Sequence, residues 1–262
     1  MNVSFSLFFY CRATEGGAIY FDSEISVLKM ICSSNCSATN YLFAFIKGSL
    51  INNLEYLTIR SCSSTMQGFY TLYVSSKGNV DNSNISMNYA SRVAGIFFNA
   101  NSFSSSHCTI SNNLVHEYNC LYVFSCTGII KFANIVGNNS PNEGVVHVNG
   151  GSLTMNYCIF CNNQNILLFI KSGSLTLSHC YISHIGLFSS KTSVSKSNNN
   201  TFTLKETYDL RHFDSHYCFA ENPIISKLPY RTYNDNCTCK NVLMGEIMIV
   251  FSWLCIISLS DN

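Results

Sequence analysis

Apolar residues recur along the chain as short apolar-x-apolar pairs at intervals near 25 residues. The pairs are Ile19/Phe21, Phe43/Phe45, Leu72/Val74, Ile96/Phe98, Leu121/Val123, Val146/Val148 and Leu168/Ile170, with Phe188 as a worn last member. Their first members are 24, 29, 24, 25, 25, 22 and 20 residues apart. A second series is stricter: Ile85-Ser-Met-Asn88, Ile110-Ser-Asn-Asn113, Ile135-Val-Gly-Asn138 and Phe160-Cys-Asn-Asn163 repeat both the apolar residue and the Asn every 25 residues. Glycines often follow the pairs, as in Lys47-Gly48-Ser49-Leu50, Gly150-Gly151-Ser152-Leu153 and Ser172-Gly173-Ser174-Leu175. Alternation turns every second side chain to one face, and Gly supplies the backbone conformations that close turns.

Each unit therefore reads as three short strands joined by turns. A unit of this size cannot bury its own apolar face, whereas stacked units share one continuous core. The pattern predicts an all-β fold, a single-stranded right-handed parallel β-helix of about eight coils over residues 12–190. At the ~4.8 Å strand spacing such a rod is about 38 Å long, and the right hand follows from crossover chirality. Leucine-rich repeats require a denser Leu pattern, and propellers require blades of about 40–45 residues. Neither fits.

Composition agrees with strands. Hydrophobic residues make up 47% and charged residues 11%, which excludes a disordered chain and disfavours long helices. The net charge is +1 with no basic stripe, so no nucleic-acid partner is expected. Fourteen cysteines is high for a cytosolic protein but below the density of a disulfide scaffold. Sequons at Asn2, Asn35, Asn84, Asn138, Asn199 and Asn236 offer glycosylation sites in a secreted or surface protein. Met1–Cys11 lacks the basic start of a secretory signal and is either a strand of an early coil or the start of a truncated frame.

Gly16-Gly17-Ala18-Ile19-Tyr20 and Phe160-Cys161-Asn162-Asn163 resemble the GGAI and FxxN signatures of polymorphic-membrane-protein repeats, over about residues 16–190. The resemblance implies a pectin-lyase-like β-helix at a cell surface with an adhesive, membrane-associated role.

Polysaccharide enzymes on this architecture need carboxylates gathered in a groove. Between Gly48 and Thr207 the only Asp is Asp81, and Glu55, Glu117 and Glu143 fall in different units. No catalytic residue, cofactor or metal site is expected. The Asn88/113/138/163 series reads as a ladder of carboxamides hydrogen-bonded along the rod, or else as a polar face for glycans. Cys108, Cys158 and Cys180 each precede a third-strand apolar residue by two positions and read as inward-packed thiols, with Cys158 and Cys180 on neighbouring coils. The single Cys158/Cys161 C-x-x-C and the Arg211–His216 stretch lack partners for a site.

Residues 191–241 lose the repeat and read as a cap or connector, with Cys218, Cys237 and Cys239 as a candidate disulfide knot. Val242–Leu259 is an apolar run broken only by Glu246, at the lower limit for a spanning helix. It reads as a membrane anchor, a lipid-anchor signal or a buried cap. The sequence thus points to a non-enzymatic cell-surface rod that engages glycans or surface proteins. The alternatives are a polysaccharide lyase or hydrolase, and a degenerate fragment of a longer repeat protein.

Overall fold

A computed structural model describes residues 2–22, 24–63, 68–183, 188–190, 194–196 and 200. These form a right-handed parallel β-solenoid of about seven turns, all-β, with no helix among the described residues. The candidate apolar helix at 242–259 lies outside them, as does nearly all of 191–241. Asn2–Phe9 is a strand paired in parallel with Ile25–Ser34, Val3 opposite Leu28 and Phe8 opposite Ser33. The coils therefore begin ahead of residue 12.

Three inward rows run the length of the rod, because in-register parallel coils place like positions above one another. The first holds Ile19, Ala44, Leu72, Ile96, Leu121, Val146 and Leu168. The second holds Val3, Leu28, Leu54, Val80, Ser105, Ile130, Met155 and Leu177. Ser105, the one polar member, donates its hydroxyl to Val80 O at 2.8 Å. The third row is Phe8, Ser33, Ile59, Ile85, Ile110, Ile135, Phe160 and Ile182. Nearly all of these side chains are buried, so the coils share one apolar column.

One pair departs from the sequence expectation. Ile19 and Phe21 stand opposite Ala44 and Ile46, not Phe43 and Phe45. The register slips between Tyr41 and Ala44, where this coil carries one residue more than the next. An inserted residue reverses the alternation beyond it. Phe43 is swallowed at the bulge, and Phe45 turns outward.

Two corners of each coil pass through a left-handed residue. One set is Phe5, Met30, Tyr56, Asn82, His107, Phe132, Tyr157 and His179; the other is Tyr10, Asn35, Ser61, Met87, Asn112, Gly137 and Asn162. Asn and Gly accept this conformation readily, but Phe132 and Tyr157 pay roughly 1 kcal/mol each. Their rings recover part of that cost by stacking in a column, His107–Phe132–Tyr157–His179, at centroid spacings of 5.1, 5.2 and 4.7 Å.

Candidate interaction face and corner ladder

The outward residue of each first-row pair is aromatic, or His. Tyr20, Phe45, Tyr73, Phe97, Tyr122, His147 and Phe169 follow one another along the rod at 4.9, 4.9, 5.1, 4.8, 4.7 and 4.9 Å between ring centroids. The spacing is that of the coils themselves, so the column is a direct product of register. Tyr41 and Tyr70 form a second, shorter column beside it, against Phe45 at 4.3 Å and Phe97 at 4.9 Å. Arg92 lays its guanidinium over Phe69, 4.3 Å from the ring centroid.

Three ring pairs in the main column are stacked face to face, Tyr20–Phe45, Phe45–Tyr73 and Phe97–Tyr122. Their faces are largely spent on one another: Phe45 and Phe97 are buried, and what reaches the surface is the partly exposed Tyr20, Tyr73 and Tyr122. Asn99 donates to Tyr73 OH at 2.9 Å and Asn149 to Tyr122 OH at 3.0 Å, while Ser172 donates to Asn149 Oδ1 at 3.1 Å. Burial raises the Tyr41, Tyr73 and Tyr122 hydroxyls, Tyr41 to about 12, so all remain protonated donors.

His147 is the polar member of the column and is 1% exposed. Its Nδ1 lies 3.0 Å from Glu143 Oε2 and 3.1 Å from Asn119 Nδ2. Burial, then the charge of Lys171, pushes the imidazole down to about 4, while burial raises Glu143. His147 Nε2 and Asn119 Oδ1 are buried with no hydrogen-bond partner among the described residues.

On a corner of the same coils the four predicted asparagines come together. Asn88 Nδ2 donates to Ile59 O at 3.1 Å and to Asn113 Oδ1 at 3.1 Å, and Asn113 Oδ1 also accepts the Asn88 backbone N–H at 3.0 Å. Asn113 repeats this toward Asn138, and Asn138 toward Asn163. All four carboxamides are buried, so the series is a ladder and is not available as a polar face for a glycan. Asn138 therefore departs from its reading as a glycosylation site. Its Nδ2 holds Ile110 O at 2.8 Å and Asn163 Oδ1 at 3.2 Å, and a glycan there would break the ladder. Asn35 and Asn84 are half-buried. Asn199 and Asn236, with Cys218, Cys237 and Cys239, lie outside the described residues.

Three sequence signals were passed over. The ladder corner continues toward the amino end as Cys62, Cys36 and Cys11: Cys62 N–H donates to Asn88 Oδ1 at 2.9 Å, and Cys36 Sγ turns to Phe8 O at 3.7 Å as an Asn Nδ2 would. Their spacing, 25 and 26 residues and then 26 to Asn88, carried the same period with a different residue. The aromatic column is the middle residue of every apolar-x-apolar pair except Phe43/Phe45, where the register slip puts Phe45 in it. The third signal is that Glu55 and Asp81 are register neighbours, despite falling in different units. Glu55 pairs with Lys29 at 3.3 Å, while Asp81 Oδ1 accepts the Ser106 hydroxyl and backbone N–H at 2.6 and 2.8 Å.

No group of three or more His, Cys, Asp or Glu suited to a metal ion occurs among the described residues, and no helix among them is long and apolar enough to cross a membrane. Comparison of the chain with protein-family models, with curated proteins and with solved structures returns no match.

Proposed function

We propose that this chain is a non-enzymatic interaction rod of the cell surface, which binds glycans along its aromatic face. The observation that carries the reading is the unbroken outward column from Tyr20 to Phe169, edged by tyrosine hydroxyls and carboxamides. A fixed row of tyrosine hydroxyls and carboxamides beside partly exposed rings suits a hydroxylated ligand. A solenoid repeats such a site at every coil, so weak contacts add along an extended chain. The likeness to polymorphic-membrane-protein repeats, and the apolar run Val242–Leu259, support a surface location.

The alternative of a polysaccharide-acting hydrolase has one observation in its favour, the neighbouring carboxylates of Glu55 and Asp81. Their existing bonds to Lys29 and Ser106 favour binding over catalysis, because a catalytic pair needs one carboxyl available as an acid.

The test is a glycan and cell-binding screen of the full chain beside a Tyr73→Ala/Tyr122→Ala double variant. Binding should weaken at least tenfold in the variant, on the order of 1.4 kcal/mol or more. Wild-type binding to protein ligands alone would replace the glycan assignment, and polysaccharide cleavage lost in Glu55→Gln would replace the non-enzymatic one. Membrane fractionation beside a chain ending at Asn241 tests anchoring: identical soluble behaviour of the two would remove it.

A further inference from the structure

Five of the eight buried free thiols among the described residues fall in two groups on adjacent coils, while Cys108, Cys120 and Cys126 stand apart. Cys11, Cys36 and Cys62 fill consecutive rungs of one corner. Ser37, Ser63 and Tyr89 N–H groups donate to their carbonyls at 2.9, 3.1 and 3.0 Å, the bond that Leu114 makes to Asn88 further along. Cys158 and Cys180 fill neighbouring rungs of another corner, where Tyr181 N–H donates to Cys158 O at 2.9 Å and Ile159 stands opposite Tyr181. All five are buried thiols. The Ser33 hydroxyl lies 3.3 Å from Cys36 Sγ and 3.7 Å from Cys62 Sγ, and the thiols of Cys36 with Cys11 and Cys62, and of Cys158 with Cys180, shift one another's ionisation.

We propose that these two groups are modification sites, each closing one inter-coil disulfide by exchange with a small disulfide of the glutathione type. In the first step a protein thiolate attacks the small disulfide, forming a mixed disulfide and releasing one small thiolate. In the second, the neighbouring protein thiol gives up its proton, attacks the mixed disulfide and releases the second small thiolate. Two protein thiols and one small disulfide become one inter-coil disulfide and two small thiols, so the electrons balance.

Geometry favours these positions over the other cysteines. Rungs on adjacent coils lie ~4.8 Å apart at Cα, inside the range a disulfide spans, but their Cβ atoms must draw together by roughly 1 Å. Local opening of a coil supplies that movement. Among the described strands Asn2–Phe9 pairs with Ile25–Ser34 and Tyr181–Ile182 with Ile159–Cys161, while Phe188–Ser190 and Val194–Lys196 stack on Leu168–Ser178 and the Cys180 N–H donates to Asn200 Oδ1 at 2.8 Å. The same local opening admits the reagent. Cys36 is the natural attacking group at the amino end, since S–H donors from Cys11 and Cys62 and the Ser33 hydroxyl lower its thiol. Cys108 makes an internal control: it is equally buried, but its neighbours on the adjoining rungs are Ser83 and Ala133.

The experiment incubates the reduced, folded full chain with oxidised glutathione and maps linkages by mass spectrometry of a non-reduced digest. A parallel sample is oxidised in urea. The expected result is Cys158–Cys180 together with either Cys11–Cys36 or Cys36–Cys62. Cys108 should stay alkylatable, and the same linkages should be at least tenfold less abundant from urea. Amide exchange in Asn2–Phe9 and Tyr181–Ile182 should slow about tenfold on oxidation. Stable glutathione adducts without linkage, linkage through Cys108, or equal yields from folded and unfolded chain would each overturn the assignment. In Cys180→Ser the amino-terminal linkage should persist, and its loss there would show that the two groups are not separate sites.

Discussion

The corner that carries Asn88, Asn113, Asn138 and Asn163 in the later coils carries Cys11, Cys36 and Cys62 in the earlier ones. The backbone makes the same inter-coil bonds in both regions, so register does not depend on which side chain fills the rung. What differs is what the side chain adds. Each carboxamide donates to a carbonyl of the preceding coil and accepts a buried backbone N–H, and all but Asn163 donate also to the next carboxamide. A thiol offers one weak, long bond, such as the 3.7 Å contact of Cys36 Sγ with Phe8 O. The position requires a small side chain that folds back onto the turn, and the choice between Asn and Cys sets how tightly adjacent coils are tied.

The largest test of that difference is one truncation in each region. Asn113→Ala removes the acceptor of the Asn88 backbone N–H and leaves that group, the Asn138 acceptor and the Ile85 carbonyl short of partners in a buried corner. At ~1–3 kcal/mol for each buried polar group left unsatisfied, the expected loss is about 4 kcal/mol. Cys36→Ala removes weak bonds and a small apolar volume, at about 1–2 kcal/mol. Urea titration read coil by coil through amide exchange would separate the two, since solenoids need not unfold in one step. Equal losses would mean that the carboxamides contribute no more than their volume.

A second comparison lies within one outward-to-inward column of the second strands, where Gly78 and Gly128 flank Phe103 on adjacent coils. A Cβ on Gly128 would come 1.9 Å from the Phe103 ring, which cannot retreat because it is stacked on Phe98 at 3.8 Å. A Cβ on Gly78 would meet Val74 Cγ1 at 2.7 Å and otherwise only Asn52 Cβ, at 4.0 Å. Gly128→Ala should cost about 3 kcal/mol and Gly78→Ala about 1 kcal/mol, overpacking being worst where no rotamer can absorb it. Thermal melts of the two variants check the order.

These regions also show how far the sequence could be read. The period was clearest where Asn repeats, because Asn at a sharp corner is both conformationally suited and self-pairing. The same corner built from Cys was invisible to a search for one residue type, although its spacing was intact. The slip at Tyr41–Ala44 was hidden for a different reason: Phe43 and Phe45 mimic an inward pair, and only pairing with Ile19 and Leu72 reveals that Ala44 faces the core. The aromatic column is hard to read from sequence because outward aromatics in an apolar-rich chain look like more core. Register alone lines them into a column.

The amino-terminal coils, residues 2–63, contain no His, whereas the Asn-bearing region holds His147 with its imidazole pushed down to about 4. An imidazole whose folded value lies below its unfolded value near 6.5 contributes stability that is present above pH 6.5 and lost as pH falls toward 4. The raised Glu143 carboxyl works the other way, gaining as pH falls. The net loss between pH 6.5 and 4 should be about 2 kcal/mol, confined to coils around Val146–Asn156. Amide exchange at several pH values, corrected for intrinsic rates, would show it there and not in Asn2–Ser34, and His147→Gln should flatten it.

The smallest effect concerns charge, the remaining candidate for what ties the Cys-bearing coils together. Lys29 and Glu55 bridge adjacent coils there at 3.3 Å, both roughly half exposed. An exposed pair of this kind contributes only ~0.2–1 kcal/mol and is screened by salt. Glu55→Gln should therefore cost about 0.5 kcal/mol, less than Cys36→Ala, and the wild-type amino-terminal coils should keep their stability from 0.05 to 0.5 M salt. A larger loss, or salt-induced melting of Asn2–Ser34 ahead of the Asn-bearing coils, would assign to surface ion pairs the cohesion attributed here to the apolar rows and the backbone ladder. If neither occurs, the Cys-bearing coils depend on stacking alone, which is the condition under which an inter-coil disulfide would change their stability most.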